Sequence, residues 1–228
     1  MKNMKKQLAC SVLCLALLLI MMLSTTVAWF TDDVANVNTM VVGKISIEQK
    51  EYNDKLHTTE FENDKYVMMP SQTVIKEVVV SNNGNQPAYV RTVFAFEDKS
   101  VPGTDKTLVD YLILGDQNVT FPVDAQGNKI RFTIGEVTYV VASYVHTSEL
   151  AATGDASTYT CLKDITLDNL APNGWQEAAG THYEILVLSQ AVQTAGMTNG
   201  AAKALDDVFG VIDATNANTW FTAVLNAQ

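Results

Sequence analysis

Residues 74–97 read VIKEVVVSNNGNQPAYVRTVFAFE. The opening run, Val74 to Val80, is rich in β-branched side chains, the composition of a central strand packed on a pleated surface. Asn82-Asn83-Gly84-Asn85 then supplies a turn. Beyond it Val90, Phe94 and Phe96 alternate with Tyr89, Arg91 and Glu97, the period of two that puts one face of a strand on a core. A strand, a turn and a second strand of this kind place the chain in the all-β class with antiparallel sheets.

Outward from this stretch the same period recurs. Ile45 and Ile47 alternate with Lys44, Ser46 and Glu48, a first clear strand from Lys44 to Glu48, and Ile130, Phe132 and Ile134 alternate with Lys129, Arg131 and Thr133. Longer apolar runs, Val137 to Val145 and Tyr183 to Val192, read as further central strands. Turn signals separate them at Pro102-Gly103, Gln126-Gly127-Asn128, Thr153-Gly154-Asp155 and Pro172-Asn173-Gly174. This spacing predicts an antiparallel β-sandwich over residues 44–228. Glu51 to Tyr66, with few apolar residues, is expected to be a solvated loop.

Short helical insertions interrupt the strands near residues 199–225. Thr198-Asn199 can cap a helix whose apolar residues Ala201, Ala204, Leu205, Val208 and Phe209 recur at three and four spacing, and Gly210 would stop it. A second helix is expected from near Asn218, with Trp220, Val224 and Leu225 on one side. Thr107 to Leu114 reads as a further helical turn.

At the other end, Lys2, Lys5 and Lys6 precede an apolar run from Leu8 to Leu23, then Ser24-Thr25-Thr26-Val27-Ala28 and Trp29-Phe30-Thr31-Asp32-Asp33. A basic start, an apolar stretch and small residues are what a signal peptidase reads. Residues 1–28 are thus expected to be a signal peptide cut between Ala28 and Trp29. The competing reading is a membrane anchor, which needs about 20 apolar residues. Thr26 and Ala28, at the minus-three and minus-one places, serve a peptidase and do nothing for a lipid anchor, so contact with the membrane is expected only before cleavage.

Of the 228 residues, 15 are basic and 25 acidic, and all three residues lost with their charge at the cut are lysines, which takes the net charge from −10 to −13. Such a chain repels nucleic acid, whose phosphates need clustered Lys and Arg. Cys10 and Cys14 would leave with the signal peptide, so Cys161 alone remains and no internal disulfide can form. Cys161 reads as a small strand residue rather than a nucleophile. The chemistry of catalysis is missing too. The histidines, His57, His146 and His182, are scattered and read as exposed strand-end or loop residues, without the paired spacing of a zinc hydrolase. Asp206-Asp207 reads as a solvated helix face. No catalytic residue, metal ligand or cofactor is therefore expected, and the chain is not read as an enzyme.

Two stretches carry a resemblance. Trp29-Phe30-Thr31-Asp32, with Asn38-Thr39-Met40-Val41-Val42-Gly43-Lys44-Ile45-Ser46-Ile47, resembles the start of the TasA and camelysin family, bacterial biofilm-matrix fibre proteins exported through the W-type signal peptidase. Met69-Pro70-Ser71 through Val74, Lys76, Val78, Val80, Asn82, Gly84 and Ala88-Tyr89-Val90-Arg91 is similar to that family's second stretch, with Ser71 where the family usually has Gly and Met40 where it has Phe. A weaker echo is Gln190-Ala191-Val192-Gln193. The resemblance implies a jelly-roll-like sandwich and a secreted, extracellular or cell-surface protein. It also implies head-to-tail self-assembly in which residues 29–43 of one subunit are donated as a strand to the next. The donor residues would be Trp29, Phe30, Val34, Val37, Met40, Val41 and Val42. The partners are then other copies of the chain and matrix or cell-wall components. Two alternatives stay open: a monomeric adhesin or fibre accessory protein, and a camelysin-like metallopeptidase, whose ligand motif the sequence lacks.

Overall fold

Alternation along the chain resolves into ten strands among the described residues of the computed structural model, which are 44–63, 66, 68–154, 157–172 and 183–226. In order they are β1 Ile47–Tyr52, β2 Thr73–Ile75, β3 Glu77–Asn82, β4 Ala88–Glu97, β5 Leu112–Leu114, β6 Arg131–Ile134, β7 Val137–Val145, β8 Thr158–Cys161, β9 Asp164–Leu167 and β10 Ile185–Gln193. A 3-10 turn, Leu108–Tyr111, precedes β5, and two helices, α1 Gly200–Phe209 and α2 Ala214–Leu225, follow β10. Every strand pairing is antiparallel, and the all-β class read from the sequence stands. No helix among the described residues is long and apolar enough to cross a membrane.

One layer is the sheet β10-β4-β7-β6. The other comes in two pieces, β1-β3-β8 and β2-β9-β5. They keep one register across the break: Val78 faces Cys161, and three residues back along one strand and forward along the other Ile75 faces Asp164. Between them Leu162 and Lys163 both take positive φ, 66° and 48°, and Lys76 N donates to Lys163 O. Two consecutive left-handed residues interrupt the ladder but, unlike a bulge, insert no extra residue and leave the pairing register unshifted. The run expected as one strand, Val74 to Val80, is for this reason two strands parted at Lys76.

The layers pack face to face. Val78 and Val80 of β3, Phe94 and Phe96 of β4, Val140 and Ala142 of β7 and Cys161 of β8 share one buried cluster. The opposite face of the β4 sheet is covered as well. Val93, Ala95, Phe132, Tyr139 and Leu186 pack with Ala217 and Phe221 of α2, while Val192 packs with Ala204 and Leu205 of α1. The helices are therefore a third layer rather than insertions, and the strands expected to be half-buried are buried on both faces where α1 and α2 lie. Arg91, placed by alternation on the polar face, is 1% exposed.

Several boundaries move. The first strand is Ile47–Tyr52, not Lys44 to Glu48, because Lys44 and Ser46 bond Asn85 and Asn83 ahead of the regular ladder. Glu51 and Tyr52, assigned to a loop, end that strand. Helix α2 begins at Ala214, capped by the Asp213 side chain on Asn216 N, four residues before the expected Asn218. Thr107 to Leu114 is a 3-10 turn that passes into β5. The helix ended by Gly210 is found over Gly200–Phe209, with Gly210 at φ 89°, but Asn199 at its start makes no side-chain cap hydrogen bond and Val208 of the expected apolar face is exposed.

Candidate assembly cleft

The backbone of an edge strand is half used, and which half follows from the ladder. Glu97 N donates to Glu184 O and Thr194 N to Pro87 O, so in the β4–β10 pair the odd-numbered residues of β4 exchange hydrogen bonds with the even-numbered residues of β10. In an antiparallel ladder the intervening pairs point their N–H and C=O groups away from each other. Ile185, Val187, Ser189 and Ala191 therefore turn their backbone groups to the open side, and β4 is the only strand paired with β10 among the described residues. The same logic on β1, from Asn83 N donating to Ser46 O and Asn85 N to Lys44 O, turns Ile47, Gln49 and Glu51 outward.

These two open edges lie on the same side of the sandwich. Their inward side chains meet where Ser189 Oγ donates to Gln49 Oε1 at 2.7 Å. Ser189 spends its proton there, so Thr92 donates to Ser189 at 2.9 Å and Tyr159 to Thr92 at 2.7 Å, a row of hydroxyls through the interlayer core. On one side of the Ser189–Gln49 bond the edges part around a cleft of about 470 Å³. Ile185, Leu186, Val187 and Val224 line one wall, and the other is mostly polar, with Gln49, Lys50, Glu51, Glu60, Asn63 and Lys76 around Phe61.

The end of β1 is already occupied. Phe61 N donates to Glu51 O, Asn53 N to Thr59 O, and Tyr52 bridges Glu60, so residues 53–61 double back along the β1 edge. Asp54 holds this return by accepting from the Leu56, Thr58 and Thr59 amides. His57 Nε2 meets Glu77 Oε2 at 2.5 Å, and the Lys76 ammonium pairs with Glu51 and sits 4.0 Å from the Phe61 ring centre. The segment expected to be solvated is thus tied down at both strands, and His57, an exposed loop residue as read, also bonds a carboxylate.

The turn read at 82–85 proves to have a second task. A Cβ at Gly84 would lie 2.4 Å from Lys44 O and 2.9 Å from Ser46 N, and Asn85 Oδ1 accepts from Lys44 N at 2.6 Å. The turn therefore seats the chain where it enters β1. Asn82 completes the seat by donating to Gln86 O and Leu150 O.

The remaining sequence expectations fall as follows. Ala28, Trp29, Phe30, Val34, Val37, Met40, Val41 and Val42 lie outside the described residues, as does His182. Cys161 is buried and unpaired, and burial pushes its thiol up to about 12. His146 is half-buried, with its ring 4.7 Å from that of Tyr159, and burial lowers its pKa. Asp206 does more than decorate a helix: its Oδ1 accepts from Arg91 Nη1 at 2.7 Å, while Arg91 Nε donates to Gln190 Oε1 and Nη2 to Gly210 O. Among the described residues no group of three or more His, Cys, Asp or Glu side chains is arranged to hold a metal ion. Edge parity could not be read from composition, because it depends on which pair opens the ladder. Compared with known proteins, the chain matches no family model and no curated sequence.

Proposed function

We propose that the exported chain is a structural subunit that polymerises head to tail into extracellular matrix fibres, each subunit donating residues 29–43 as a strand to its neighbour. The body of the subunit would be the jelly-roll-like sandwich that the TasA and camelysin resemblance implies. The observation that carries the reading is the pair of open sheet edges facing one another over a cleft. An unpaired edge with apolar side chains behind it is a template for an incoming strand, which natural proteins either block or use. Directional use leaves one free edge at each end of a filament. No catalytic step enters this role, and the partner is the chain itself, joined by matrix or cell-wall components.

A chain starting at Gly43 tests it. That chain keeps the compact unit Gly43–Gln228. It should give the same circular dichroism as the exported protein yet show no filaments by electron microscopy, and a synthetic peptide of residues 29–43 should bind it. Filaments from the truncated chain would end the donor-strand reading, and persistent monomers of the full exported chain would favour the monomeric accessory role.

A further inference from the structure

We infer that the cleft binds a neutral oligosaccharide, a sugar ring of which lies along Ile185, Val187 and Val224 while its hydroxyls meet Gln49, Glu60 and Asn63. The site lies within one subunit and does not rest on the fibre reading above.

The polar wall is the part of the cleft that strand addition leaves unused. An added strand takes main-chain groups and pockets for its side chains. Here the wall opposite Ile185 and Val187 carries amide and carboxylate side chains instead. Gln49 Oε1 accepts from Ser189, and the N–H groups of the same amide have no partner among the described residues. The Glu60 carboxylate and the Asn63 amide, both on exposed residues, likewise make no side-chain hydrogen bond among the described residues. Donors and acceptors therefore stand side by side, and a ligand that answers them all needs groups able to do both. A hydroxyl is such a group.

Charge decides against an ion. Lys50 and Lys76 line the cleft together with Glu51 and Glu60, so the two signs balance. Lys76, 5% exposed, pairs with Glu51, and Lys50 pairs with Glu48 at 3.1 Å. An anionic ligand would meet no unpaired cation there. A metal ion would find one unpaired carboxylate, Glu60, where calcium takes about six to eight oxygens.

Size and shape fit a sugar. The 470 Å³ cleft falls within the roughly 300–1,000 Å³ of small-molecule sites. A pyranose carries C–H groups on its faces and hydroxyls around its rim, which matches an aliphatic wall set opposite a polar one. The Phe61 ring is already engaged, with the Lys76 ammonium 4.0 Å from its centre and Tyr66 stacked on it at 4.5 Å. The sugar face is thus left to the aliphatic side chains.

The full exported chain, titrated with cellohexaose, maltohexaose, chitohexaose, an alginate hexamer and a peptide of residues 29–43, tests this by nuclear magnetic resonance. At least one neutral hexamer should move the side-chain amide signals of Gln49 and Asn63 and the methyl signals of Ile185 and Val224, and the shifts should saturate. Its affinity should not change from low to high salt, because no charge is screened. Glu60→Ala and Asn63→Ala, both at exposed positions, should each weaken it about tenfold, as loss of one hydrogen bond does, while Asp207→Asn on α1 should leave it unchanged. Silence with all three neutral hexamers overturns the inference. So does binding of alginate alone, which would mean an ionic ligand, or of the peptide alone, which would mean a groove for polypeptide. Neutral binding that ignores both Glu60→Ala and Asn63→Ala puts the sugar elsewhere and overturns the site.

Discussion

Phe94 shows how much a single inward position of β4 carries. Its ring is fully buried, 6.2 Å from that of Phe96, within the cluster shared by both layers. Truncation leaves a cavity the surrounding strands cannot close, so Phe94→Ala should cost about 3–5 kcal/mol in urea melts. Cys161 behaves in the opposite way, as a group to which nothing happens. With its thiol buried and its pKa pushed up to about 12, there is almost no thiolate at neutral pH. A thiol reagent should label it only at the rate of global unfolding. Ser71 holds φ 65°, a conformation that suits glycine, at the place where the resembling family usually has Gly. Ser71→Gly relieves backbone strain and gives back part of it as unfolded-chain entropy. A net gain of about 0.5–1 kcal/mol in stability is expected from the same melts. The resemblance pointed to position 71, but only the dihedral angle explains it.

At the scale of elements, Arg91 joins the helical layer to the sheet. Its guanidinium reaches Gln190 on β10, Asp206 on α1 and the Gly210 carbonyl after it, and lies 5.0 Å from the Trp220 ring centre on α2. Desolvation lowers its pKa, and Asp206 opposes that shift. Arg91→Leu would leave Gln190 and Gly210 O without their donor and should cost about 2–4 kcal/mol, with amide exchange rising first across residues 200–225. Asp206, a third exposed, is screened by water, so Asp206→Asn should cost under about 1 kcal/mol. If the two variants proved equally costly, the ion pair rather than the set of hydrogen bonds would be the joint. Here lies the limit of what the sequence could reveal. Val137–Val145 and the helix ended by Gly210 were legible because period and cap agree locally. The burial of Arg91 was not, since alternation tells which residues share a face but not whether helices over 90 residues further on will cover that face. The break at Lys76 was equally hidden. It is imposed by the partner strand, through the left-handed pair Leu162-Lys163, on a run that by itself favours one continuous strand.

For the whole molecule, the proposed role puts export before assembly. The exported protein should begin at Trp29 by mass spectrometry, and an intact Met1 in a membrane fraction would make residues 8–23 an anchor instead. The cleft was not legible in the sequence, because it exists only when β1 and β10, over 130 residues apart, are laid side by side. The hydroxyl row through the core has a further consequence for how such a molecule folds. A strand slipped by one residue exposes its apolar face and is rejected, but a slip of two keeps every apolar residue on its proper side. Hydrophobic pattern cannot tell those two alignments apart. The row can: Ser189 stands opposite Thr92, and moving β10 by two in either direction sets Ser189 against Phe94 or Val90 and breaks the bond between the Ser189 and Thr92 hydroxyls. Tyr159, Thr92, Ser189 and Gln49 thus work like a vernier mark, lifting a degeneracy that oil-like packing alone would leave in the folding of a long apolar strand.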